Sequence, residues 1–221
     1  MKRAKKLNLL FVVLMMLGFG SQSFSQTLKD FFDNTSIQLT YLGIDFSKNL
    51  IIKDPDANLS DIINRLYGSI NNLVIDEQHG KNYDIGGAFS RKNAINIDIN
   101  AVTEINSKID SRNIMSSHKS DFERLKETDI ANSVEALNLE GKEGIGVVFI
   151  MEGMKKVNGK GYGSVWITLI NMKTKEVLIT ERREHDAEGF GFRNYWGSVI
   201  RKTIMEIDWS KYKDWKKKYA H

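Results

Sequence analysis

Hydrophobic and polar residues recur with two different periods along the chain, and these periods predict where strands and helices form. Alternation of apolar and polar residues predicts a first strand over residues 37–45. A turn at residues 54–56 follows, and a 3.6-residue period then predicts an amphipathic helix capped by Ser60. The apolar residues of this helix are Ile62, Ile63, Leu66, Tyr67, Ile70, Leu73 and Val74.

The middle of the chain has a weaker pattern. A period of two over residues 93–99 predicts a second, half-buried strand. Residues 100–120 show no sustained period apart from a short strand or turn near Ile114. A second helix is expected from about Thr128 to the glycine at 141, which ends it.

The last third of the chain predicts three further strands and a helix. Its first strand is almost continuously apolar, which is typical of a central strand covered on both faces. Short turns separate the strands and indicate an antiparallel three-strand meander. The predicted strands cover residues 145–151, 162–171 and 177–183, and a Gly-containing loop over residues 186–194 precedes the final helix. The fold class is therefore α/β (α+β): a single mixed sheet of about five strands with helices packed on it.

Residues 1–25 have the three parts of a secretory signal peptide. A basic start and the apolar run 9–17 precede small residues at Ser23 and Ser25, so cleavage is expected before Gln26. The apolar run is less than half of the about 20 residues that a membrane-spanning helix needs. We therefore expect a single exported domain, periplasmic or secreted, with no transmembrane segment after signal removal. A lipid anchor is not expected, because the chain has no Cys.

Composition and charge limit the classes of partner. The 221 residues are 41% hydrophobic and 27% charged, with one Pro and no Cys, which is typical of a globular domain without disulfides. Four basic residues near the start account for the formal net charge of +4. Without them, 28 of the 32 basic residues remain and balance the 28 acidic residues. A nucleic-acid partner is therefore not expected. The four basic residues are Lys2, Arg3, Lys5 and Lys6.

The common signals of cofactor and metal chemistry are missing from the sequence. Glycines 159–163 lead into a strand and not into a helix, so they predict a hairpin turn rather than a phosphate-binding loop. The Gly-x-Ser-x-Gly nucleophile motif is absent. No two histidines have the spacing of zinc ligands. The sequence predicts no metal, no cofactor and no assigned catalytic residue. The histidines are His79, His118, His185 and His221.

One group of residues has acid–base potential, and we call it the acid–base cluster. Its members are Glu184, His185, Asp186 and Glu188. Neighbouring carboxylates can tune the pKa of an imidazole for proton transfer. An enzyme would also need His185 to meet a polar group from a distant segment, such as Asp45 or Asp98, in a concave pocket. The alternative is a solvated strand end.

The candidate binding surface is aromatic and follows the acid–base cluster. Aromatic residues and Arg are enriched where proteins bind partners. The alternative is that the aromatic residues cover the end of the sheet while Arg193 pairs with a nearby carboxylate. The members of this candidate surface are Phe190, Phe192, Arg193, Tyr195 and Trp196.

The last segment, residues 209–221, combines aromatic residues with lysines. Such a segment could contact an anionic membrane surface. Alternatively, its aromatic residues pack on the domain while the lysines stay in water.

Three segments, residues 41–46, 143–150 and 189–196, resemble a family of exported proteins of unknown role from Bacteroidetes. The resemblance implies a location in the cell envelope. The strand–turn–strand around residues 171–177 is similar, at the level of fold, to domains of outer-membrane assembly lipoproteins such as the curli secretion pore subunit. We therefore interpret the chain as an exported envelope protein that acts as a non-enzymatic interaction or assembly component with an envelope protein as partner. The alternatives are a hydrolase or transferase using the acid–base cluster and a small-ligand binding module.

Overall fold

The structure, a computed structural model, describes residues 27–78, 80 and 82–220. The predicted signal peptide, His79 and His221 lie outside the described residues. The strands are β1 (Leu39–Asp45), β2 (Leu50–Ile52), β3 (Ile95–Ile97), β4 (Met115–Ser116), β5 (Ile145–Val157), β6 (Lys160–Asn171) and β7 (Val177–Ala187). The helices are α1 (Leu28–Asp33), α2 (Leu59–Asp61), α3 (Tyr67–Glu77), α4 (Ile85–Ala88), α5 (Asn100–Asn106), α6 (Glu127–Glu135), α7 (Gly191–Glu206) and α8 (Tyr212–Tyr219).

Tighter and wider helical turns complete these elements. A π-helical turn at Ile62–Leu66 continues α2 into α3, and another at Ile207–Lys211 continues α7 into α8. Short 3₁₀ turns lie at Ser111–Asn113 and Lys119–Glu123. None of the described helices combines the length and the apolarity that crossing a bilayer requires.

The strands of the described residues form one mixed sheet around β5. The first half of β5 pairs in parallel with β1 and its second half in parallel with β2, while β3 and β4 extend the sheet beyond β1 and β2. On its other side β5 pairs with β6 and β6 with β7, both antiparallel. The predicted mixed sheet with helices is confirmed. The expected number of about five strands is wrong, because the sheet has seven.

The turn between β5 and β6 explains why this hairpin is tight. Asn158 and Gly159 both have positive φ, 51° and 78°. Two such residues are typical of the hairpin turn whose twist matches that of the strands. The prediction of a hairpin turn at residues 159–163 is therefore confirmed at Gly159. Residues 160–163 belong to β6, which begins at Lys160.

Helices cover both faces of the sheet. Leu42 and Val148 belong to a core cluster that includes residues of α5 and α6. Their neighbours Tyr41 and Phe149 point to the opposite face, in a larger cluster with residues of α3, α7 and α8. This alternation follows from the period of two in a strand.

Two predicted boundaries are wrong. The helix after the first turn is capped by Asn58, whose side chain accepts a hydrogen bond from the Asp61 N–H at 3.1 Å, and not by Ser60. The predicted loop over residues 186–194 shrinks to three residues, because β7 extends to Ala187 and α7 begins at Gly191. Consequently four of the five residues of the predicted aromatic surface, all except Phe190, lie in the first part of a helix.

Candidate functional site

The start of α7 lies directly on β6 because two glycines leave room for it. A Cβ atom on Gly161 would lie 2.6 Å from Cε1 of Tyr195, and one on Gly163 would lie 2.7 Å from Cγ1 of Val199. The Tyr195 hydroxyl also accepts a hydrogen bond from the Gly161 N–H at 2.6 Å. The spacing of glycines after the hairpin turn therefore serves helix packing.

The predicted aromatic surface divides into a packed part and an exposed part. Trp196 is 3% exposed, and its ring meets the rings of Tyr195 and Phe192 edge-on at centroid distances of 5.2 and 6.3 Å. Phe190, the residue before the first turn of α7, is 93% exposed. The sequence thus identified a region in which only some of the aromatic residues face solvent.

Arg193 lies in the exposed part. Its Nε donates a hydrogen bond to Oδ1 of Asn194 at 3.2 Å. It forms no ion pair with a carboxylate among the residues that the structure describes. Phe190, Phe192 and Arg193 are named the α7 N-terminal surface below, with Phe192 half-buried at its inner edge.

The carboxylates of the acid–base cluster pair with cations and not with one another. Glu184 lies 3.5 Å from Nζ of Lys155. Nζ of Lys202 lies 2.8 Å from Asp186 and 3.1 Å from Glu188. The hydrogen bond from Lys202 is the main cause that lowers the pKa of Asp186 and of Glu188. These two carboxylates are therefore ionised and charge-paired at neutral pH.

His185 meets a residue from a distant segment, and that residue is Glu206 at the end of α7. Its Nε2 lies 3.3 Å from the Glu206 carboxylate, but the two groups form no hydrogen bond. Burial lowers the pKa of His185, while the charge of Glu206 opposes this effect and the charges of Lys202 and Arg183 add to it. The imidazole is therefore neutral at pH 7.

The two other polar partners considered for His185 have partners of their own. Asp45 is 1% exposed, accepts a hydrogen bond from the Ser47 N–H at 2.7 Å, and has its pKa raised by burial. Asp98 forms an ion pair with Lys142, which lowers the pKa of Asp98. Among the residues considered, the distant residue that lies next to His185 is therefore Glu206 and neither Asp45 nor Asp98.

An open hollow of about 540 Å³ lies beside the acid–base cluster. Its lining residues are Lys160, Tyr162, Glu184, His185, Asp186 and Ala187. Within the described part of the chain, no three His, Asp or Glu side chains are placed to hold a metal ion. The hollow therefore combines charged side chains of both signs with one aromatic ring.

Sequence reasoning missed the most buried ionisable residue of this region, Glu152 on β5. Its side chain is fully buried and accepts hydrogen bonds from Ser164 at 2.8 Å, Trp166 at 3.1 Å and Arg182 at 2.8 Å. The signal available in the sequence was a single carboxylate inside an apolar run. These three side chains bind Oε2, and Oε1 accepts a hydrogen bond from the Leu125 N–H at 2.6 Å, so Glu152 is closed to other ligands.

Comparison with known proteins does not identify a family. The sequence matches no family model and no curated protein. Among solved structures, the PelC dodecamer from Paraburkholderia phytofirmans is similar with a TM-score of 0.34 and 12% identity, over 77% of this chain and 88% of the PelC chain. A single-substitution variant of that dodecamer gives a TM-score of 0.35 and 12% identity, over 79% and 90% of the two chains. Similarity at this level carries no argument about function.

Proposed function

We propose that the protein is an exported component of the cell envelope, periplasmic or secreted, that acts in interaction or assembly without catalysing a reaction. In this proposal the α7 N-terminal surface binds another envelope protein. The observation that carries the proposal is the exposure of Phe190, at 93%, on the end of a 16-residue helix that is fixed to the sheet.

The chemistry of this surface indicates what the partner offers. Burying a Phe side chain contributes about 1.5–3 kcal/mol, which a partner recovers if it has an apolar pocket. Arg193 brings a charge that is not neutralised by any described carboxylate, so a carboxylate on the partner beside that pocket would complement it. Because Tyr195 and Trp196 hold the helix in place, little ordering is required on binding.

The arrangement of the acid–base cluster supports the non-enzymatic part of the proposal. A general acid needs a carboxyl whose pKa is raised toward neutrality, but the pKa values of Asp186 and Glu188 are lowered. Each carboxylate of the acid–base cluster already pairs with a Lys or Arg side chain.

The open hollow favours a second candidate, the binding of a small ligand that carries both charges. Lys160 and Asp186 would offer opposite charges, and Tyr162 would offer an aromatic surface. If this candidate is right, Tyr162→Ala removes the stabilisation that such a ligand gives in a thermal-shift assay, and Phe190→Ala leaves it unchanged.

Export is tested by mass spectrometry of the protein from a fractionated native host. The proposal expects a chain that begins at Gln26 and is found outside the cytoplasm. A full-length chain that begins at Met1 and stays in the cytoplasm would refute export, whatever the result for the partner.

The binding surface is tested by quantitative co-purification with Phe190→Ala and Arg193→Ala. Both side chains are exposed, so neither substitution should lower the melting temperature by more than about 2–4 °C. We expect loss of one defined companion protein in both variants. Trp209→Ala, which removes an exposed aromatic residue elsewhere, is the matched control and should retain that companion.

A further inference from the structure

Trp209 is exposed, in contrast to the other tryptophans of the chain. Trp166, Trp196 and Trp215 are 8%, 3% and 2% exposed, but Trp209 is 66% exposed. It lies in the π-helical turn between α7 and α8. A single exposed Trp on a helix is unusual for a surface in water, because this residue is usually largely buried.

Three lysines accompany Trp209 on the outer side of the same helical segment. Lys213 and Lys217 follow it at intervals of four residues, so the three residues share one face, and Lys216 flanks them. All three lysines are exposed, and none pairs with a carboxylate of the described chain. By contrast, Lys211 is held 3.2 Å from Glu181. Trp209, Lys213, Lys216 and Lys217 are named the basic aromatic face.

The opposite side of the segment is fixed to the domain. Tyr212 and Trp215 are 7% and 2% exposed, and the Tyr212 ring lies 5.5 Å from the ring of Phe32 on α1. The prediction that the aromatic residues of this segment pack on the domain is thus confirmed for Tyr212, Trp215 and Tyr219 and is wrong for Trp209. The basic aromatic face is presented on a rigid support.

We propose that the basic aromatic face binds an anionic bilayer surface. Trp prefers the interface between water and lipid, where its ring lies among the headgroups and its N–H remains hydrated. Each Lys near an anionic surface adds electrostatic attraction, and the long side chains reach the headgroups from a helix that lies along the surface. The row of Trp209, Lys213 and Lys217 contains no carboxylate, and the three lysines of the face outnumber the two exposed carboxylates beside it, Asp208 and Asp214, so an anionic surface complements the face. This inference does not depend on a partner at the α7 N-terminal surface.

The fluorescence of Trp209 tests the proposal in the full-length chain. Because the other three tryptophans are buried, a change on adding lipid reports Trp209. Vesicles of phosphatidylcholine with phosphatidylglycerol should shift its emission to shorter wavelength, and vesicles of phosphatidylcholine alone should not. The apolar run 9–17 is common to all variants, so any lipid binding of its own cancels in the comparison between variants.

Three variants separate the contributions of Trp209 and of the three lysines to lipid binding. Trp209→Phe should abolish the spectral shift. Replacing Lys213, Lys216 and Lys217 together by Gln should weaken the lipid titration about 100-fold, since each Lys contributes roughly five-fold. Phe190→Ala is the control and should titrate as the unchanged protein does. Circular dichroism melting verifies that the exposed substitutions leave the fold intact.

Three results would overturn the proposal. One is no shift of Trp209 emission with anionic vesicles. Another is a shift of equal size with neutral vesicles or with the triple Gln variant. The third is a shift produced by a polyglutamate peptide but not by vesicles, which would assign the face to an acidic protein.

Discussion

Arg182 on β7 reaches across β6 and donates a hydrogen bond from Nε to the Glu152 carboxylate on β5, at 2.8 Å. A second donor group of Arg182 binds the carbonyl of Phe122 at 2.9 Å. One side chain therefore joins β7 and β5, across β6, to the 3₁₀ turn at Lys119–Glu123. Glu152 is fully buried, and Arg182 is the cation that pairs with its carboxylate.

Arg182→Ala should destabilise the protein by about 3 kcal/mol, because it leaves a buried carboxylate without its cation. Urea unfolding measures the change. Arg112→Ala is the matched control, since Arg112 pairs with Asp110 but is 86% exposed, and it should leave the free energy of unfolding almost unchanged. Equal losses for the two variants would contradict the role given to Glu152.

Substitution of two glycines by Ala should have opposite effects. Gly161→Ala brings a methyl group against the Tyr195 ring and should destabilise the fold by about 1–3 kcal/mol. Gly68→Ala, in α3, meets no atom within 4 Å and should stabilise it by about 0.4–1 kcal/mol. Both changes are measured by denaturant unfolding, and a stabilising Gly161→Ala would refute the close packing of α7 on β6.

His185 predicts a pH dependence of stability. Burial lowers its pKa in the folded state below the ordinary value of 6.5, so the unfolded chain takes up the proton first. The contribution of His185 is therefore fully present above pH 6.5 and is lost as pH falls through the folded pKa. The charged groups that face His185 also change its pKa: Glu206 and Asp186 raise it, whereas Lys202 and Arg183 lower it further.

The measurement is the free energy of unfolding from about pH 7 to pH 5.5, above the range in which most carboxylates titrate. His185→Gln should flatten the decrease in this window. If the variant and the unchanged protein lost stability in parallel, the decrease would belong to another group.

Much of the fold could be predicted from hydrophobic periods. The run 145–151 indicated a central strand, and β5 indeed lies at the centre of the sheet. β2 was missed because its three residues are too few to show a period, and β4, with two residues, was indicated only as a short strand or turn near Ile114. β7 extends beyond residue 183 because an edge strand tolerates charges on both faces, so its sequence was interpreted as a loop.

The candidate site was predictable only in part. The residues around the start of α7 were identified from their composition, but composition cannot tell that Trp196 is buried while Phe190 is exposed. That difference depends on which side of α7 each residue lies on and on the two glycines of β6 that let the helix approach the sheet. Likewise, the pairing of His185 with Glu206 joins residues 21 positions apart through tertiary packing, which no local pattern reports.

The most direct test of the proposed function is photocrosslinking in living cells, with benzoylphenylalanine placed at position 190. The account predicts one dominant crosslinked envelope protein. Its yield should fall at least tenfold when Arg193→Glu is added, which corresponds to a loss of about 1.4 kcal/mol of binding free energy. The same crosslinker at position 209 should not capture this protein. Equal capture at both positions, or capture that is indifferent to Arg193, would contradict binding by the α7 N-terminal surface.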